Sequence, residues 1–261
     1  MAAGIAARAH DASVVLIEGD ALGGTCVNVG CVPSKTLLAA AGARHTAATN
    51  LFAGAPTGVG EVDLASLVAQ KDRLIEGLRQ HKYADVADAH GFEIHHGQAR
   101  FADPATLLVD DQPLRARAYV VAAGAEPARP AIAGIDDVEW LTSTTAMTLD
   151  ELPASLLVIG GGYVGSEQAQ LFAHLGSAVT LVGRPAPGSE PELAAALRQV
   201  LLDDGIEVVA ERATRVDTRD GQVVAGTASG RCVAAQRLLV ATGRTPRTKT
   251  LGLTAAADCP R

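Results

Sequence analysis

Short apolar runs alternate along the chain with stretches whose apolar positions recur at helical spacing, the pattern of an α/β protein with parallel strands. The clearest unit begins at Ser155. Leu156-Leu157-Val158-Ile159 is brief and continuously apolar, as a strand covered on both faces requires. Gly160-Gly161-Gly162-Tyr163-Val164-Gly165 follows at once, then Glu167 to Leu175 at helical spacing, Gly176 as a stop, and a second strand over Ala178 to Val182. A G-x-G-x-x-G string is weak alone; set between a strand and a helix-strand pair it predicts a dinucleotide site. Gly160 permits the tight turn, Gly162 lets a pyrophosphate approach the backbone, and Gly165 lets helix and strand pack closely. The helix N-terminus would then receive the phosphates. At the end of the second strand, where an NAD site carries Asp or Glu for the ribose 2′-hydroxyl, the chain has Gly183 followed by Arg184. NADPH is therefore expected over NADH.

The beginning of the chain reads as an incomplete copy of the same unit. Ala2 to His10 is helical and alanine-rich, Val14-Val15-Leu16-Ile17 reads as a buried strand, and Glu18 stands where a ribose-binding carboxylate belongs. No strand and no glycine turn come before that helix, so the pyrophosphate cradle of this first site is missing. One edge of the Val14 strand would be unpaired, and Met1 reads as an internal methionine of a longer protein. The fold class expected is α/β, with two Rossmann-like three-layer domains, residues 1–150 (incomplete) and 151–261. Gly54 to Gly60 reads as a turn-rich loop, Pro185 to Pro191 as the link to a helix starting near Glu192, and Asp217 to Gly230 as an exposed hairpin.

Composition narrows the ligands. With 48% apolar and 20% charged residues over 261 positions the chain can bury one large core or two modest ones. A net charge of −7 without any Lys/Arg run gives no footprint for nucleic acid or an anionic membrane. No basic, apolar leader precedes the first strand, which points to the cytoplasm. In that reducing setting Cys26 and Cys31, five positions apart behind Gly23-Gly24, are expected to be redox-active or metal-binding rather than a staple. Zinc would want further Cys or His close by, and the seven histidines are scattered. Cys232 and Cys259 read as small buried or incidental residues.

Glu18, Gly23-Gly24-Thr25-Cys26 and Cys31-Val32-Pro33-Ser34-Lys35 together resemble the flavin- and pyridine-nucleotide-dependent disulfide oxidoreductases. Ala122-Ala123-Gly124-Ala125-Glu126-Pro127, the Gly160 to Gly165 turn and Ala241-Thr242-Gly243-Arg244-Thr245-Pro246 extend the resemblance along nearly the whole chain, in family order. Within the family the chain looks most like the mercuric reductase branch. That likeness rests on Thr25 to Cys31, Leu78 to Tyr83, His96 to Phe101, Trp140 to Thr144, Leu152-Pro153 and Glu167 to Gln170.

The resemblance implies FAD and NADPH as cofactors, residues 1–150 as the FAD-binding domain and 151–261 as the NAD(P)-binding domain. It implies Cys31 as the thiol facing the flavin and Cys26 as the outer, exchanging thiol, the two together binding Hg(II) on its way to Hg(0). Lys35 would stand beside the flavin ring, paired with Glu167. Glu18, Gly24, Thr25, Lys35, Ala123, Gly124 and Gly243 would contact the flavin nucleotide, and Gly160, Gly162, Tyr163, Gly165, Glu167 and Arg184 the pyridine nucleotide. Tyr163 either covers the nicotinamide pocket or is simply a half-buried aromatic. A small thiol or disulfide substrate, as for dihydrolipoyl dehydrogenase, stays open, and so does thiol binding of a soft metal without turnover. The family's C-terminal domain, which forms its homodimer, has no counterpart after Pro246, and the last five residues, Ala257 to Arg261, depart from the family course as a frameshift or premature stop would make them. A truncated chain with impaired or lost activity is the expectation.

Overall fold

The computed structural model describes residues 1–256. Contacts divide the chain into two compact units that interleave in sequence. Residues 1–28, 73–126 and the segment from 245 form one; residues 29–72 and 127–244 form the other.

In the second unit four parallel strands lie in the order Arg237–Val240, Ser155–Ile159, Ala178–Val182, Glu207–Val209. Their alternation sorts the core into two faces. Leu156, Val158, Val179 and Leu181 belong to a cluster with Ala169, Phe172 and Leu175 of the helix Tyr163–Leu175, Leu201 of the helix Pro191–Asp203, and Leu37 and Ala41 of the helix Cys31–Ala48. Leu157, Ile159 and Val182 point the other way. There they meet Val216, Val223, Ala225, Val233 and Ala235 of an antiparallel sheet made by Ala213–Arg219, Gln222–Thr227 and Cys232–Ala235. The three layers are helices, parallel sheet and antiparallel sheet. This corrects the reading of Asp217 to Gly230 as exposed: Asp220-Gly221 is an exposed tip, but the strand it opens hides its apolar face on the parallel sheet. The helix Cys31–Ala48 belongs to this unit because Leu37 and Ala41 complete its core.

In the first unit the helix Ala2–Arg8 leads to the strand Val15–Glu18, which pairs in parallel with Glu93–His96. Ala99–Asp103, Thr106–Val109 and Gln112–Leu114 form a separate antiparallel meander. The Val15 strand is not buried as expected. Among the described residues it has a neighbour on one side only, and Val15 is 40% exposed. The apolar run after Tyr119 likewise joins no strand pair, leaving Val120 and Val121 exposed.

Candidate functional site

The glycine turn of the second unit is built on close backbone approaches. A Cβ on Gly165 would stand 1.8 Å from the carbonyl oxygen of Gly160, so only glycine lets the Tyr163–Leu175 helix sit down on its strand. A Cβ on Gly162 would meet nothing within 4 Å. Gly162 is also the N-cap of that helix and offers no side-chain cap, which leaves N–H groups of the first turn facing open space. Space and unclaimed donors at the N-terminus of a thirteen-residue helix suit a pyrophosphate. Gly183 shows why no acidic residue follows the second strand. Its φ is +146°, and a Cβ there would lie 2.6 Å from the Gly161 nitrogen. Arg184, next along, is exposed. Tyr163 is 72% exposed, not half-buried, and shares a shallow recess of about 130 Å³ with Ser166, Glu167, Gln170, Leu197 and Leu201.

The cysteine motif folds as two helices. Gly24–Val29 carries Cys26, and Cys31 opens the helix Cys31–Ala48; both cysteines are exposed, and Cys31 is a free thiol. One turn after Cys31, the Lys35 ammonium forms an ion pair with the Glu167 carboxylate of the nucleotide-binding helix. Two residues 132 positions apart in sequence are thus joined, with side chains 60% and 39% exposed. An exposed pair of this kind is worth about 0–1 kcal/mol to stability, so its interest lies in where it holds the Lys35 charge.

In the first unit Asn28 fixes the short cysteine helix. Its amide donates to the carbonyls of Ala21 at 2.9 Å and Leu22 at 3.1 Å, and its Oδ1 accepts from Arg79 Nε at 2.6 Å. Tyr83, in the π-helical turn Gln80–Ala84, packs over Gly23. The roles of Asn28, Arg79 and Tyr83 were missed from sequence, since nothing in the spacing of 28 and 79 links them. Gly124 has a φ of +71°, and the nearest atom to a Cβ placed on it would be Thr25 Oγ1 at 3.8 Å, so Thr25 and Gly124 lie side by side. Ala123 beside it is exposed. Glu18, at the end of its strand, accepts a hydrogen bond from the Asp20 N–H at 3.0 Å. Gly243, in the second unit, accepts from the Ala128 N–H at 2.9 Å. Within the first unit the Thr25 hydroxyl, the Gly124 backbone and the strand-end Glu18 carboxylate are polar groups of the kinds that bind a nucleotide. Cys232 is exposed rather than buried, and Cys259 lies outside the described residues.

A glycine turn between two parallel strands, with an uncapped helix start whose Glu167 pairs with Lys35 one turn after Cys31, has the local form of a dinucleotide-dependent thiol oxidoreductase. The sequence profile of the pyridine nucleotide-disulphide oxidoreductases matches residues 1–261, and the chain belongs to that family. It is similar to the mercuric reductase of Streptomyces lividans, 47% identical over 97% of this chain and 56% of the relative, and to that of Lysinibacillus sphaericus, 42% identical over 97% and 47%. Among solved structures it resembles the HOCl-induced flavoprotein disulfide reductase RclA from Escherichia coli. That match has a TM-score of 0.83 and 27% identity, over 99% of this chain and 57% of that one. The chain thus spans about half the length of the curated relatives it matches. Family and neighbours imply a flavin and a pyridine nucleotide. No described helix is long and apolar enough to cross a membrane.

Proposed function

We propose that this chain carries the pyridine-nucleotide site and the redox cysteine pair of a cytoplasmic, NADPH-dependent reduction of Hg(II) to Hg(0), which the whole protein performs as a homodimer. The observation that carries the reading is the Lys35–Glu167 ion pair, which ties the helix opened by Cys31 to the helix that begins at the glycine turn. Mercuric reductases among the relatives support the substrate.

In this reading Gly160, Gly162 and Gly165 seat the NADPH pyrophosphate at the helix start, and Arg184 faces the 2′-phosphate. Tyr163 covers the nicotinamide. Glu18, Gly24, Thr25, Ala123, Gly124 and Gly243 would hold FAD, which when bound would supply a two-electron relay between nicotinamide and disulfide. Lys35, held by its ion pair with Glu167, would add positive charge beside the flavin. Cleavage of the Cys26–Cys31 disulfide by two electrons and a proton leaves one thiol and one thiolate, and loss of the remaining proton gives two thiolates, strong ligands for a soft cation. Hg(II) held by both sulfurs then takes up two electrons from a further NADPH, and the two cysteines stay reduced for the next Hg(II). The overall balance is NADPH + Hg(II) → NADP⁺ + H⁺ + Hg(0).

The test exchanges the matching segment of the Streptomyces lividans relative for this chain's residues and follows NADPH oxidation with Hg(II) or with a dithiol-derived disulfide as acceptor. Hg(II)-dependent oxidation that disappears in C26S and C31S supports the proposal. Turnover with the disulfide alone assigns the chain to a dihydrolipoyl dehydrogenase-like activity, and stoichiometric Hg(II) binding without NADPH loss assigns it to thiol sequestration.

A further inference from the structure

Three helices of the second unit end at one place. His45 lies in the last turn of Cys31–Ala48, His174 in the last turn of Tyr163–Leu175, and Asp204 is the C-cap of Pro191–Asp203. The imidazoles of His45 and His174 stack with centroids 3.8 Å apart and planes 11° from parallel. Both Nε2 atoms face the same carboxylate oxygen, Asp204 Oδ1, at 3.7 Å and 3.2 Å. One ligating atom from each of the three residues falls within 4.8 Å of the others. The second Asp204 oxygen accepts a hydrogen bond from Gln170 Nε2 at 2.7 Å, which orients the carboxylate.

Two observations distinguish this cluster from an ordinary ion pair. The His174 side chain is only 10% exposed, yet its Nε2 makes no hydrogen bond although Asp204 Oδ1 is 3.2 Å away. A buried nitrogen 3.2 Å from a carboxylate oxygen and beside a second imidazole, but hydrogen-bonded to neither, is one that a ligand could engage. The field agrees: each helix C-terminus carries a partial negative charge, and three of them converge here.

We infer that His45, His174 and Asp204 form a binding site for a borderline divalent transition ion, Zn(II) being the type case. Two imidazoles and one carboxylate suit such an ion, with solvent in a fourth position, whereas Ca(II) or Mg(II) would require an oxygen-rich shell. The Arg44 guanidinium donates to the His174 carbonyl at 3.2 Å and already adds positive charge at this helix end. Affinity must then come from the imidazole lone pairs and not from charge alone. Ligation by both rings requires them to leave the parallel stack. His45, with a side chain 29% exposed, is the ring free to turn, and its exposed edge is the way in for the ion. None of these residues belongs to the glycine turn or to the cysteine motif, so the site acts as a clamp on helix ends, independent of the proposed redox reaction.

The test is a calorimetric titration of Zn(II) into the purified chain after its cysteines have been alkylated, so that thiolates do not compete. One equivalent of Zn(II) should bind and raise the midpoint of thermal unfolding. H45Q, at a half-exposed position, and D204N should each weaken binding at least about tenfold, and Q170A, which frees the carboxylate, by about tenfold. Far-UV circular dichroism of each variant separates loss of binding from loss of fold. No saturable binding to the alkylated chain, or unchanged binding in H45Q and D204N that remain folded, overturns the inference.

Discussion

Exchanging Gly165 and Gly162 one at a time for alanine separates the two tasks of the turn. On Gly165 the added Cβ would lie 1.8 Å from the Gly160 oxygen and 2.9 Å from its carbon, against about 3.5 Å for an unstrained contact. The obstacle is backbone, not the tip of a flexible side chain, so the Tyr163–Leu175 helix must move off the sheet and loosen the core that Ala169, Phe172 and Leu175 share with Leu156 and Val158. Overpacking of this kind costs about 3 kcal/mol. Gly162 has φ −70° and ψ 179°, which alanine adopts without strain, and its Cβ meets nothing within 4 Å. There stability should hold or rise by a fraction of about 1 kcal/mol, through the less flexible unfolded chain. The methyl group nevertheless enters the space assigned to the pyrophosphate. Losing one charge-assisted hydrogen bond weakens NADPH binding about 10- to 100-fold. Urea unfolding followed by the fluorescence of Trp140, the one tryptophan of the chain and part of the second unit's core, gives the first quantity, and an NADPH titration gives the second. The reasoning fails if Gly162→Ala destabilises as much as Gly165→Ala, or if it binds NADPH like the unaltered chain.

Arg184→Ala should reduce the preference for NADPH over NADH about 10- to 100-fold, read from paired titrations; an unchanged ratio would remove Arg184 from the 2′-phosphate site. The isolated chain should bind NADPH measurably and FAD poorly, because among the described residues the Val15–Glu18 strand that ends in Glu18 pairs on one side only and is partly exposed. A purified sample that carries stoichiometric yellow flavin would contradict this. The Glu211 carboxylate is held below the usual carboxylate range, chiefly by hydrogen bonds from the Thr227 and Ser229 side chains and then by the Ser229 N–H. Its contribution to stability is therefore fully present above the unfolded-state value and fades as the pH falls through the lower folded value. Glu211→Gln should flatten that part of the acid-unfolding profile, and an identical profile would refute it.

The second unit was legible because its signals are local. The strand to Ile159, the stop at Gly176 and the next strand from Ala178 stand where the pattern put them, and the helix after the linker starts at Pro191, close to Glu192. What escaped was decided by partners far away in sequence. The Gln222–Thr227 strand hides one face on a sheet that its own residues do not announce. The Cys31–Ala48 helix has no pronounced apolar stripe, and only the folded chain shows Leu37 and Ala41 joining the second unit. The histidines judged scattered include two stacked on each other from positions 45 and 174. The candidate site divides in the same way. The glycines and cysteines announce themselves by spacing, while Asn28 with Arg79, and the steric reason for Gly183, depend on three-dimensional approach.

The central claim is that NADPH delivers two electrons to the disulfide of Cys26 and Cys31. Thiol counting on the exchanged, flavin-loaded protein, without air, before and after one equivalent of NADPH, tests it most directly. The account predicts two new thiols per chain, located at Cys26 and Cys31 by mass spectrometry and absent in C31S. NADPH consumed with no gain of thiols, or thiols gained elsewhere, would contradict it.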